Sequence, residues 1–165
     1  MDLKVETPKG CISFCPIGLP DPFWLATYLW WNGLEPSSSE PMLRVAIVRH
    51  PVMWQFERWM QRSWFNGATL SLGDFIEQRL RTYATEHWQL VQHGSFDSLI
   101  RVEDIPYCLD DTLKPLDVEL EMYGGDRITT PFLPFLFPLS KWRKEPWFQK
   151  VMEADARIAE TCDYF

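Results

Sequence analysis

Leu43-Arg44-Val45-Ala46-Ile47-Val48 is the segment that most restricts what this chain can fold into. It is β-branched and nearly continuous in apolar character, so it reads as a strand buried on both faces. Two buried faces need cover on both sides, and helices returning between parallel strands provide that cover. The strand ends in Arg49-His50-Pro51, and a helix is expected from about Val52 to Trp64, broken by Asn66-Gly67. The same grammar recurs on either side. Cys11-Ile12-Ser13-Phe14-Cys15, closed by Pro16, reads as a second buried strand. A loop with Gly18, Pro20 and Pro22 comes next. Asp21 as N-cap and Pro22 at the first helical position then open a helix that stops at Asn32-Gly33.

Further along, Ser71 predicts the N-cap of a helix carrying Phe75, Ile76, Leu80 and Tyr83 at helical spacing. Ser98-Leu99-Ile100-Arg101-Val102 predicts a third strand, after which Glu103-Asp104 leads into a helix from about Tyr107 to Leu116. A fourth strand is expected near Tyr123 to Thr129. Thr130 to Pro138 reads as a Pro-punctuated aromatic cover, and Pro146 to Glu160 as a closing helix. Residues 1–10 read as a polar tail or lead-in, and Glu35 to Pro41 as a flexible surface loop. Strands alternating with helices point to a three-layer sandwich around a small parallel sheet. The strands at 11–15, 43–48 and 98–102 are then adjacent and parallel, with helices on both faces. At 165 residues the chain has room for one such domain and not comfortably for two.

Composition narrows the function. A net charge of −7 leaves no basic stripe for nucleic acid, since Lys141, Arg143 and Lys144 form only a short local cluster. Cys11, Cys15, Cys108 and Cys162 include no C-x-x-C pair and lack a neighbouring His, so reduced thiols are expected, with no metal site and no resident cofactor. Polar and proline residues interrupt every apolar run, which predicts a cytoplasmic chain with no membrane partner. No Ser-His-Asp set, Walker A motif, H-E-x-x-H or Gly-rich dinucleotide turn is present. Nine Trp and an aromatic share of 15% exceed what a small core readily hides. Exposed rings are therefore expected among Trp30, Trp31, Trp142, Trp147 and Phe132 to Phe137, serving a protein partner or a homo-oligomer contact.

The order of motifs resembles the sulfotransferases that use 3′-phosphoadenosine 5′-phosphosulfate, particularly their carbohydrate branch. Val45 to Pro51 is similar to the element in which a strand ends in Arg-x-Pro and hands over to a long helix. Ser71 to Ile76, His87-Trp88, Leu99 to Ile105 with Leu109, Leu113 and Leu116, and Asp155 to Tyr164 resemble later family segments in the same order. The resemblance implies a P-loop-NTPase-like sulfotransferase fold with the nucleotide sulfate as co-substrate. It places the donor's phosphosulfate at the turn Pro16 to Pro22, with Gly18 as a binding residue, and its 3′-phosphate at Arg49. The family's Lys and Thr-Ser pair are absent from that turn, and the position eight residues after Arg49 is Glu57, where the family has Ser. Pro8-Lys9-Gly10-Cys11-Ile12-Ser13 superficially resembles the family's phosphate loop, but a strand and prolines come after it where a helix should begin.

Each site residue carries two readings. Arg49 binds a phosphate, or caps the strand end by pairing with Glu57 or Asp104. His87 acts as a general base on an acceptor hydroxyl, or the His-Trp pair packs a helix. Glu103 orients a site group, or pairs with Arg101. His50 and His93 read as surface residues. Two functions are compatible with this pattern: a degenerate sulfotransferase-like domain serving as a binding or structural module in an assembly, or a minimal enzyme sulfating a sugar or small-molecule hydroxyl.

Overall fold

Backbone alternation at the amino terminus builds more sheet than the strand patterns suggest. The computed structural model describes residues 2–17, 22–66, 70–81, 96–105, 107–121, 139–162 and 164, with side chains except at 22, 24 and 63–66. The expected strand at 123–129, the cover at 130–138, the Asp21 cap, Gly18, and His87 with Trp88 lie outside these residues. The chain is a mixed α/β fold that divides into two units, Met1–Arg49 with Gly94–Phe132, and His50–His93 with Leu133–Phe165.

The first unit holds a five-stranded sheet in the order β3-β1-β2-β4-β5. Its strands are β1 (Leu3–Thr7), β2 (Gly10–Cys15), β3 (Glu35–Pro36), β4 (Leu43–Val48) and β5 (Ser98–Arg101). β2 pairs with β4 and β4 with β5, both parallel, with Phe14 beside Val45 and Ile47 beside Ile100. The three strands expected to be parallel neighbours are so. The sheet as a whole is mixed, which corrects the expectation of a parallel one: β1 runs antiparallel to both β2 and β3. Pro8 and Lys9 form the two-residue hairpin loop between β1 and β2, as Thr7 pairs with Gly10. Thr7 Oγ1 holds that loop, accepting from the Lys9 amide at 3.3 Å and donating to the Gly10 carbonyl at 2.7 Å. The Pro8 to Ser13 stretch is therefore a hairpin and a strand.

Helix α1 (Pro22–Trp31) begins at the proline that sequence marks as its first residue. It ends in a Schellman motif: Gly33 at φ 83° donates to Trp30, and Leu34 donates to Leu29. Leu29 and Leu34, the pair that closes such a motif, are both buried. Val5, Ile12, Phe14, Leu25, Leu29, Val45, Ala46 and Ile47 make the unit's apolar centre. A 3₁₀ turn (Val102–Asp104), helix α4 (Tyr107–Leu113) and a second 3₁₀ turn (Lys114–Leu116) complete it, the last closing on Asp117 at φ 59°.

The second unit is helical: α2 (Pro51–Asn66), α3 (Leu72–Arg79), α5 (Leu139–Trp142), α6 (Pro146–Ala154) and α7 (Ala156–Thr161). Ser71 caps α3 as its sequence predicts, its hydroxyl accepting from the Asp74 amide at 3.1 Å. Arg58 joins α2 to α3, donating to the Arg79 carbonyl while its guanidinium lies 5.1 Å from the Trp54 ring centre and 5.4 Å from that of Phe75. The closing helix is two helices, because Asp155 leaves helical geometry at φ −111° and ψ 29°. Both hydrogen bonds that flank the break survive, Asp155 to Val151 and Ala159 to Asp155. The axis is interrupted with little loss of backbone pairing.

Candidate functional site

In open α/β sheets ligands gather beyond the carboxyl ends of the parallel strands, where short loops expose backbone and side-chain donors. In the first unit this edge is formed by Cys15 to Ile17 after β2, Arg49 after β4, and Arg101 to Asp104 at the end of β5. Arg49 is 1% exposed and among the largest fully buried side chains. It directly follows β4 in the chain and directly precedes His50, which caps α2.

The carboxylates near this edge are paired with arginines. The Cys15 thiol is pushed up to about 11, first by burial and then by the carboxylate of Asp2, which lies beside the end of β2. Asp2 is in turn ion-paired with Arg44 at 3.6 Å. Arg101 is tied to Asp104 through a salt bridge from its Nε, so Asp104 takes Arg101 as its ionic partner. Cys108, behind the same turn, bonds the Arg101 carbonyl at 3.6 Å, and burial pushes its thiol up to about 12. Neither thiol is an activated nucleophile. After β2 the chain crosses to β3 at one margin of the sheet and returns to β4 on the other side of β2, so the strand order reverses between β2 and β4.

His50 departs from its expected place. It is 3% exposed, and it caps α2: its Nδ1 accepts from the Val52 amide at 3.1 Å while its carbonyl accepts from Trp54. Its ring packs 4.8 Å from the Tyr164 ring and 6.0 Å from Phe148. An accepting Nδ1 requires neutral imidazole, and burial, helped by the charge of Arg143, lowers its pKa to about 4. The signal available in sequence was position: His50 directly precedes Pro51, the first residue of the helix. Glu57 lies further along α2, half-buried, with its carboxylate accepting from Gln61 at 3.3 Å.

The second unit has an open cleft of about 510 Å³ between the start of α3 and residues 142–147. Trp142 and Trp147 form one wall, 6.0 Å apart between ring centres. Asp74, Glu77 and Glu145 line the rest, and Lys150 reaches Glu77 at 2.6 Å. That carboxylate lining repels phosphate and sulfate esters. Among the described residues no group of His, Cys, Asp and Glu could hold a metal ion, and no helix is long and apolar enough to cross a membrane.

Exposed rings gather on α1, in the first unit. Phe23 is 67% exposed, Trp30 42% and Trp31 73%, with Phe23 and Trp30 meeting edge to face at 6.4 Å. Of the two other tryptophan candidates, Trp147 is buried and Trp142 is intermediate. No family model, curated protein or solved structure matches the chain.

Proposed function

We propose that this chain is a sulfotransferase-like domain whose donor site has decayed, and that it serves as a binding or structural module in a protein assembly. The three-layer arrangement and the P-loop-NTPase-like sulfotransferase topology belong to this reading. It is supported by the motif order together with three adjacent parallel strands and a helix that starts at Pro22.

Helix α1 carries the proposal. In a donor-binding domain this helix turns its amino terminus toward phosphate, and its free amides and positive dipole end hold the anion. Here it opens on proline, which has no amide to give, and it has no basic residue in its span. The carboxylate of Asp2, ion-paired with Arg44 at 3.6 Å, stands at the end of the strand before it. What α1 offers instead is an uncharged outer face of exposed rings, the composition that protein interfaces favour.

Buried Arg49 favours a second reading, a minimal enzyme that binds 3′-phosphoadenosine 5′-phosphosulfate and sulfates a sugar or small-molecule hydroxyl. In that reading His87 is the general base. Calorimetric titration with the desulfated nucleotide, 3′-phosphoadenosine 5′-phosphate, separates the two. A ligand at a hundred times its dissociation constant adds about 2.7 kcal/mol of stability. The module reading expects no heat of binding and no shift of the unfolding midpoint. Micromolar binding, abolished by Arg49→Met, would replace it with the enzyme.

A further inference from the structure

The outer face of α1 has an internal symmetry. Phe23, Thr27 and Trp31 are four residues apart, so they stack along one row of the helix surface, and all three are exposed. The row is large, small, large: a ring one turn before Thr27 and a ring one turn after it, each displaced by about 6 Å of helix rise. Trp30 leans back along the helix beside this row, its ring 6.4 Å from that of Phe23. Thr27 donates its hydroxyl to the Phe23 carbonyl at 2.9 Å, so the narrow waist can lose its water without stranding a donor. No charged side chain occurs from Pro22 to Leu34.

A large–small–large row is complementary to itself when reversed. We propose that this face is where two copies of the chain pair, about a two-fold axis beside Thr27, with Phe23 of each copy against Trp31 of the other. The proposal rests on the reading of the chain as a binding module and names its partner as a second copy. Three features favour that occupant. Rows of this kind pack together when helices cross at about −50°, and the small residue at the centre lets the axes approach. Setting Phe23 of each copy against Trp31 of the other runs the helices antiparallel, so their dipoles oppose. Two chains of net charge −7 repel except where they meet on a neutral face, and α1 is such a face. A charged partner would call for opposite charges that α1 does not carry.

The rings present on the order of 400 Å² per copy, about half of what a standard interface buries on each side. The dimer is therefore weak and reversible, with a dissociation constant in the micromolar range, about 1–100 µM. Sedimentation of the full chain across that range should show monomer giving way to dimer. Trp31→Glu should weaken the dimer at least about 30-fold, with an unchanged circular dichroism spectrum and urea midpoint as the folding control. Thr27→Cys tests the axis itself, because a disulfide forms only between Cα atoms within about 7 Å. With dissolved oxygen and a copper catalyst as oxidant, Thr27→Cys should cross-link to itself. Phe23→Cys and Trp31→Cys should cross-link only when mixed. Background is low, because Cys11 and Cys162 are buried and the Cys15 and Cys108 thiols are pushed up to about 11 and 12.

A chain that stays monomeric across the range overturns the pairing, as does a dimer indifferent to Trp31→Glu or a Thr27→Cys chain that does not cross-link. A monomer that also ignores the nucleotide leaves the module reading standing without this partner. A dimer that binds the nucleotide keeps the pairing and removes the module reading.

Discussion

Helices α1 and α6 open alike, with Pro22-Phe23-Trp24 in one and Pro146-Trp147-Phe148 in the other, and then treat their rings oppositely. Phe23 is 67% exposed, whereas Trp147 and Phe148 are 9% and 7% exposed. The difference arises in the next turns of each helix. In α6, Gln149, Lys150 and Glu153 mark a polar face, so Trp147, Phe148, Val151 and Met152 fall on one inward stripe. In α1, no charge marks either face. Leu25, Ala26, Tyr28 and Leu29 turn inward, and Phe23, Trp30 and Trp31 are left outside. A ring's burial is thus decided by the residues that claim the solvent side, more than by the ring itself.

The sharpest test of that contrast is to truncate one ring from each helix. Trp147→Ala should cost about 3–5 kcal/mol by removing a buried wall. Trp31→Ala should change the stability of the monomer by no more than about 0.5 kcal/mol. Urea unfolding at a concentration below dimer formation measures both, and equal losses would break the comparison.

Acid offers the next largest effect, and it belongs to the helical unit. The folded pKa of His50 is lowered to about 4, so below pH 6.5 the unfolded chain takes up a proton that the folded chain refuses. Stability is full above about 6.5 and declines toward 4, by on the order of 2 kcal/mol between pH 6.5 and 5. His50→Asn keeps a capping side chain and removes the titration, so its urea midpoint should hold over that window. A wild-type midpoint that is flat from pH 6.5 to 5 would contradict the buried cap.

Two glycines give the smallest and finest contrast. At Gly73 an added Cβ would stand 3.0 Å from Cδ1 and 3.1 Å from Nε1 of Trp147, a crowding that should cost Gly73→Ala about 1–3 kcal/mol. At Gly33 nothing lies within 4 Å, but φ is 83°, so Gly33→Ala should lose about 1 kcal/mol from backbone strain alone. Shaving the ring with Trp147→Leu should relieve the first and leave the second untouched. Thermal unfolding of the single and double variants reads the coupling, and its absence would remove Trp147 as the neighbour that needs a glycine.

Much of the sheet was legible because burial on both faces writes itself as an unbroken apolar run. β2 and β4 come close to such a run, β5 buries only Ile100, and their parallel order followed from the helices between them. β1 was missed although Leu3, Val5 and Thr7 alternate with Lys4 and Glu6, the period of a strand with one wet face. A polar composition concealed it. β3, at two residues, is too short to have a period at all. Helix starts were clear where chemistry fixes them, at Ser71 and Pro22. The site was less legible. Arg49 could be placed from its motif, but the burial of His50 depends on Phe148 and Tyr164, which approach it from far along the chain. The outward turn of Trp31 depends equally on which other residues fill the core.

The edge strand β3 bears on how this chain behaves when crowded. A sheet margin normally invites another molecule to add a strand to it, the first step toward fibrils. Here the margin is two residues long, and one of them, Pro36, has no amide with which to extend a ladder. Exposed Glu35 adds charge there. The chain then folds over β1, with the Ser37 amide donating to the Lys4 carbonyl at 3.0 Å and the Ser37 hydroxyl to Glu6 at 2.7 Å. A neighbouring molecule meeting this margin finds too little free backbone to template on. Concentrated solutions are thereby protected on this side from cross-β growth, even though the same molecule carries tryptophans in the open.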